Sequence, residues 1–433
     1  MSARRLALQS EFPVSVSALA GWHAQPSAAE RLNPPWLTLE TTSRTTNADS
    51  AQLAWRVPFG PFRVPVTLTQ SYSASPRGAT LHEQIAYEPP FGALGGAAMR
   101  RRLARVFRYR HELALADLER GAQVGAGRKL RVLVSGATGL VGRQLSLFLE
   151  AGGHQVVRLV RRVAEGPAEI RWDPARGEIE QEKLARFDAL VHLAGENVAS
   201  HRWSAAQKRR VEESRVLGTR SLCRALAALT EPPKVAICAS AIGFYGETGD
   251  ETRDEASEGG AGFLADVCRK WEAESQVLAE RGVRLVRARI GVVVARKSGA
   301  IEKMRLPFSL GLGGRLASGR QYVSWISLDD LVGLLHFSLF DDGLEGALNC
   351  VAPQAVTNAE MTRTLARMLA RPALLVVPAF ALKLLYGEFA EEALKSQRIV
   401  PAKALARNFR FRQPALAQAL AFELGLDAEL ASG

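Results

Sequence analysis

A chain of 433 residues with 47% hydrophobic content has enough apolar material for two to three domains with real cores, which excludes a disordered or fibrous protein. Lysine and arginine number 56 against 44 acidic residues, a net charge of +12 that favours anionic partners. The longest apolar run, Ala373–Leu382, is broken by Pro378 and ends at Lys383, short of the ~18 residues that a membrane span needs.

In chain order, Arg4-Arg5 precede an apolar stretch that Gln9, Ser10 and Glu11 interrupt, which argues against a secretory signal. Residues 51–57, 64–69 and 80–86 alternate like half-buried antiparallel strands. Met99, Leu103, Val106, Phe107, Leu113, Ala114 and Leu118 then recur at helical spacing, beside six arginines between Arg100 and Arg110. Those arginines read as the solvated face of an amphipathic helix. With no recognised nucleic-acid module beside them, neither a nucleic acid nor a membrane is expected as partner. Trp22, Trp36 and Trp55 are candidates for core or for lining a ligand site. Residues 121–127 lack periodicity and read as a linker, closing a first domain at 1–124.

Leu130, Val132 and Val134 predict a short buried strand, and Leu140, Val141, Leu145 and Phe148 a helix behind it. Three glycines sit at the joint. Gly136 permits the tight turn, Gly139 lets backbone amides approach a pyrophosphate, and Gly142 lets the helix pack closely; Thr138, Leu140 and Val141 count with them in the candidate dinucleotide site. No Gly-Lys-Ser/Thr follows, which argues against a nucleotide triphosphatase loop. A second strand, 154–160, completes a βαβ unit. At its end stand Arg161 and Arg162, where an NAD site usually carries an acid, so NADP(H) is the expected cofactor. Cys223, Cys238, Cys268 and Cys350 form no Cys-x-x-Cys pair and read as buried thiols of a cytoplasmic protein, with no metal site expected.

The glycine turn, Asp188–Asn197, Val235–Gly246 with its Tyr-Gly ending, and the late Asp-Asp segment Trp325–Val332 together resemble the extended, epimerase-like branch of the short-chain dehydrogenase/reductase superfamily. More narrowly, Gly195-Glu-Asn197, Trp203, Trp271-Glu272, Leu310–Gly314 and Val351-Ala-Pro353 resemble an uncharacterised epimerase-like family of bacteria and animals. Val377-Pro378, Gly387-Glu388, Ser396-Gln397, Val400-Pro401 and Phe409-Arg-Phe411 resemble its C-terminal module, with Asn408 where glycine is usual. The resemblance implies an α/β fold, a doubly wound parallel Rossmann sheet over 128–350, followed by a small mixed C-terminal region, 351–433. It implies an oxidoreductase or epimerase acting on a nucleotide sugar or another small carbonyl compound. It also places Leu193, Ala194, Gly195, Arg215 and Val293 along the cofactor, although Leu193, Ala194 and Val293 serve equally well as core. Upstream, Arg31–Trp36, Tyr87–Gly92 and Phe107–His111 resemble a polyketide-cyclase-like helix-grip domain, α+β with an apolar cavity for an apolar ligand. This copy is shortened, and a strand pair is expected to be missing between Phe62 and Thr80.

The superfamily's usual proton-transfer pair is Tyr-x-x-x-Lys on one helix face. None of the six tyrosines here has a lysine four residues on, and Asp266 takes the tyrosine position on the helix that should carry the pair. Ser240 at the end of the fifth strand, Tyr245 and Lys270 remain as catalytic candidates. Two functions stay open: an NADP-dependent oxidoreductase or epimerase, and a non-catalytic NADPH-binding sensor or scaffold. The sequence is silent on oligomeric state.

Overall fold

Apolar residues at every second position fold the first 87 residues largely into antiparallel strands in the computed structural model, which describes residues 4–46, 50–89, 92–124, 127–199, 201–297 and 299–426. Strands β1 (Arg4–Phe12), β2 (Glu40–Thr46), β3 (Ser50–Phe59), β4 (Phe62–Ser75) and β5 (Gly78–Tyr87) form one sheet in the order β1-β5-β4-β3-β2. Helices α1 (Val16–Ala24) and α2 (Pro26–Arg31) link β1 to β2, and the 32-residue α3 (Gly92–Gln123) follows the sheet. Two strands were not legible in advance. The polar run Glu-Thr-Thr-Ser-Arg-Thr-Thr of β2 has no apolar alternation, and β1 shows its period only once Leu6 and Leu8 are seen packed on the core while charged neighbours stay exposed. The interval between Phe62 and Thr80, expected to lack a strand pair, is occupied by the whole of the 14-residue β4, the turn after it and the start of β5.

All seven predicted stripe residues of α3 are buried, and Arg100, Arg101, Arg105 and Arg108 are exposed. Arg110 corrects the solvated-face reading. It lies three and seven residues beyond Phe107 and Leu103 on the same helix face, only 3% exposed, with its guanidinium 4.8 Å from the Trp55 ring. Burial pushes its pKa down to about 10 even though the buried Glu83 carboxylate, itself bonded to Gln70 (2.7 Å) and His111 (2.5 Å), acts to raise it. Trp22 and Trp55 are core, and Trp36 stands edge-on to Tyr109 at 4.9 Å. The helix continues to Gln123 through the start of the expected linker, because Leu113, Ala114 and Leu118 keep its stripe packed; Gly125 and Ala126 lie outside the described residues.

Beyond it come β6 (Arg131–Ser135), α4 (Leu140–Ala151), β7 (Gln155–Val160), β8 (Glu169–Asp173), β9 (Glu178–Ile179), β10 (Ala189–His192), α5 (Ala205–Ala227), β11 (Val235–Ala241) and α6 (Phe263–Glu274). With the strands Arg284–Ile290 and Gly346–Cys350 they build an eight-stranded sheet. Its order is Gly346–Cys350, Arg284–Ile290, β11, β10, β6, β7, β8, β9, parallel throughout except for β8–β9. The central strands are apolar on both faces, as helix-covered parallel strands require.

The chain divides into two compact units: residues 1–129 with 147–154 and 422–426, and the remainder. No break falls at the expected boundary of 350/351. Ser396 joins the C-terminal segment to the same unit, accepting from Thr248 N through its carbonyl (2.9 Å) and from Tyr322 N through its hydroxyl (3.0 Å), and Arg398–Ile399 pairs with Thr252–Arg253. Asn408, in place of the family's glycine, holds φ of 59°, so the left-handed turn persists with a residue that tolerates it. The four cysteines are buried and free of disulfides. Among the described residues no helix is long and apolar enough to cross a membrane.

Candidate functional site

The sheet reverses its winding at β6: the chain runs outward from it through β7, β8 and β9, and β10 then returns to the opposite side of β6. Crevices for ligands open at such a switch point, outside the carboxyl ends of the strands. The three glycines lie there. Gly136 takes φ of +70°, and a Cβ on it would stand 2.8 Å from the Leu193 carbonyl group. A Cβ on Gly142 would stand 2.2 Å from the Gly136 carbonyl oxygen, so only glycine lets α4 start this close to the turn. Gly139 is less constrained, with only that same oxygen at 3.2 Å. Thr138 and Gly139 are exposed and Leu140 and Val141 half-buried, leaving the amino end of α4 accessible.

A network that sequence reasoning missed holds this cradle from below. The Ser135 hydroxyl accepts from the amides of Leu193 (3.1 Å) and Ala194 (3.3 Å), and shares a 2.6 Å hydrogen bond with His192 Nδ1. His192 Nε2 lies 2.9 Å from Thr219 Oγ1, which also accepts from Trp271 Nε1 at 2.8 Å. A histidine closing an otherwise apolar strand was the available signal. Burial pushes the His192 pKa down to about 4, so the ring is neutral. The unfolded chain takes up this proton below about pH 6.5 and the folded chain does not, so stability is unaffected above that value and falls between about 6.5 and 4. We expect a loss of about 3 kcal/mol across this window from this ring, read as urea midpoints against pH, and a slope about one proton shallower in His192→Asn. An unchanged slope would show that the ring does not carry it.

Gly195 is exposed above Arg215, whose guanidinium carbon would lie 3.4 Å from a Cβ there. Arg215 donates to the carbonyls of Glu196 (2.8 Å) and Val211 (3.1 Å) and lies 5.1 Å from the Trp271 ring; burial lowers its pKa. It braces the loop after β10. Val293 sits half-buried in the short strand Val292–Val294, opposite Ile326. Of the two arginines after β7, Arg162 is committed to Glu169 through two hydrogen bonds (2.7 and 2.8 Å), whereas Arg161 is exposed and makes no ion pair with another described residue.

The three catalytic candidates are not brought together. Ser240 is buried and donates to Glu272 at 2.6 Å. Glu272 receives Arg289 through two further bonds (2.8 and 2.9 Å), Arg289 also donates to the Tyr245 hydroxyl (2.9 Å), and Tyr245 donates to Asn349 (2.8 Å). Burial raises the Tyr245 pKa despite the neighbouring guanidinium. Lys270 lies outside this network, exposed and paired with Glu212.

A doubly wound parallel sheet with a glycine-lined turn at its switch point defines a Rossmann-like α/β protein of the dinucleotide-binding class. Residues 132–341 match the NAD dependent epimerase/dehydratase family, and residues 377–423 match a domain of unknown function, DUF1731. An epimerase family protein of Mycobacterium leprae is 39% identical over 298 residues, covering 69% of this chain and 96% of that protein. The chain therefore belongs to the epimerase family. Among solved structures, a nucleoside-diphosphate sugar epimerase of Corynebacterium glutamicum is similar over 97% of this chain and 90% of its own, at 29% identity and a TM-score of 0.79. The human epimerase family protein SDR39U1 (isoform 2), solved with NADPH, is similar over 68% of this chain and 99% of its own, at 35% identity and a TM-score of 0.63.

Proposed function

We propose that this chain binds NADP(H) at the β6–α4 turn and acts with it on a small carbonyl compound or nucleotide sugar. The carrying observation is the cradle itself: two glycines whose side chains backbone atoms would exclude, at the switch point, with Arg161 exposed at the end of β7. Gly136, Thr138, Gly139, Leu140, Val141 and Gly142 would hold the pyrophosphate, Leu193, Ala194, Gly195 and Val293 would line the coenzyme, and Arg161 would meet a 2′-phosphate. The human relative solved with NADPH supports the same choice. When bound, the nicotinamide supplies hydride transfer. Arg161→Glu is expected to weaken NADPH binding at least tenfold and NADH binding little, measured by fluorescence titration of both. Equal losses would remove the phosphate assignment.

One observation favours a second reading, a protein that holds NADPH without turning over. The hydroxyls of Ser240 and Tyr245 are engaged in the buried Glu272–Arg289–Asn349 network, and Lys270 faces solvent. Following NADPH consumption over a carbonyl panel separates the two. Turnover lost in Ser240→Ala or Tyr245→Phe establishes the enzyme, and a silent panel with intact NADPH binding establishes the binding protein. For the first unit, the antiparallel sheet followed by the 32-residue α3 supports a helix-grip reading with an apolar ligand. A bare mass for the intact chain in native mass spectrometry would count against that ligand.

A further inference from the structure

The longest apolar run of the sequence is not buried. Residues 371–385 contain one buried side chain, Leu382, while Leu374, Phe380, Leu384 and Leu385 project with 64% or more of their surface exposed. Leu306 and Leu310, equally exposed, belong to a neighbouring stretch. The strand Gly314–Leu316 pairs with Leu375–Val377, and the Arg371 side chain donates to the Ser309 carbonyl at 3.1 Å, so segments 303–320 and 371–385 lie side by side. Contiguous exposed apolar surface of this kind marks an interaction site.

Charge identifies the occupant. The two segments together carry six cations, Lys303, Arg305, Arg315, Arg320, Arg371 and Lys383, and no carboxylate. Lys383 pairs with Glu391, outside the segments, and Arg315 donates to the Ser318 carbonyl. A second copy meeting this face across a two-fold axis would set six cations against the same six. A nucleic acid would satisfy the charge and leave the leucines in water. An anionic lipid surface satisfies both, taking leucine and phenylalanine into the acyl boundary and the guanidinium and ammonium groups among its phosphates.

We propose that the face formed by residues 303–320 and the helix Ala379–Tyr386 with its preceding strand docks on a bilayer containing anionic phospholipid, lying on the membrane without spanning it. This revises the expectation of no membrane partner. That expectation rested on the length of the apolar run and on reading the α3 arginines as a solvated face, and neither bears on where this run lies in the fold. Each cation near an anionic leaflet contributes about fivefold to partitioning, and the effect is screened by salt.

The test is flotation of the full chain with vesicles of phosphatidylcholine alone and of phosphatidylcholine with phosphatidylglycerol. We expect binding at least tenfold tighter to the anionic vesicles, weakened by high salt. The triple variant Leu374→Ser, Phe380→Ser, Leu385→Ser should lose at least tenfold with an unchanged thermal midpoint, because all three side chains are exposed. Arg100→Gln, Arg101→Gln, Arg105→Gln in α3 should bind as the parent does. No binding, equal binding to both vesicles, or loss that follows the α3 arginines instead would overturn the proposal. So would a lipid-free dimer in light scattering that the leucine and phenylalanine substitutions dissolve.

Discussion

Gly142→Ala is expected to abolish NADPH binding and to cost about 3 kcal/mol of stability, the upper end of what one added methyl group does in a packed interior. The new Cβ would meet the Gly136 carbonyl oxygen at 2.2 Å, its carbon at 2.8 Å and the Ala137 Cα at 3.0 Å. All three are backbone atoms of the turn. None can swing aside as a side-chain tip would, so α4 must slide away from β6 and take its amide groups out of position for a pyrophosphate. Gly139→Ala provides the internal comparison, because its Cβ meets a single oxygen at 3.2 Å and asks for a shift of a few tenths of an ångström. Thermal melts with and without NADPH would show the ligand-free midpoint kept in Gly139→Ala and lowered in Gly142→Ala, with the ligand-induced shift reduced in the first and absent in the second. A normal shift in Gly142→Ala would refute the placement of the coenzyme at this turn.

Glu272→Ala should destabilise the chain by about 3–5 kcal/mol, the usual consequence of leaving one member of a buried ion pair without its partner. The Arg289 and Glu272 side chains are 6% and 11% exposed, and Glu272 accepts three hydrogen bonds, one from Ser240 and two from Arg289. Burial works against the guanidinium charge, and the Glu272 bonds outweigh it and raise the Arg289 pKa; the Phe244 ring, its centroid 3.4 Å away, adds a cation–π contact. Removing the carboxylate leaves that charge with a ring and a phenol. The double variant Glu272→Met, Arg289→Met should recover most of the loss, since no charge is then buried. Guanidinium denaturation of the three proteins measures it, and a double variant no better than the single one would show that the pair is not the unit of stability.

The glycine turn and the α3 stripe were readable because each is a local pattern, three positions in one loop and seven at one helical period. Strand β2 was not, because its pairing with β3 comes from the partner's backbone and needs no apolar side chain. Arg110 escaped for a related reason: a charge count along the chain does not record which arginine shares an angle with Leu103 and Phe107. The roles of Ser240 and Tyr245 turn on partners 32 and 104 residues away, Glu272 and Asn349, a separation that no motif spacing encodes. The surface run 371–385 was visible as hydrophobicity and misleading as to place, since composition alone cannot say whether a run lies inside or outside.

The hook of Ser135 on the Leu193 and Ala194 amides, fixed through His192 and Thr219 to the Trp271 indole, has a consequence for binding rates. Two loops that flank the crevice are already immobilised before any visitor arrives, so little conformational entropy is left to surrender on association. Capture should then proceed in a single kinetic phase, with residence time set by how fast the guest leaves rather than by a slow reshaping of its host.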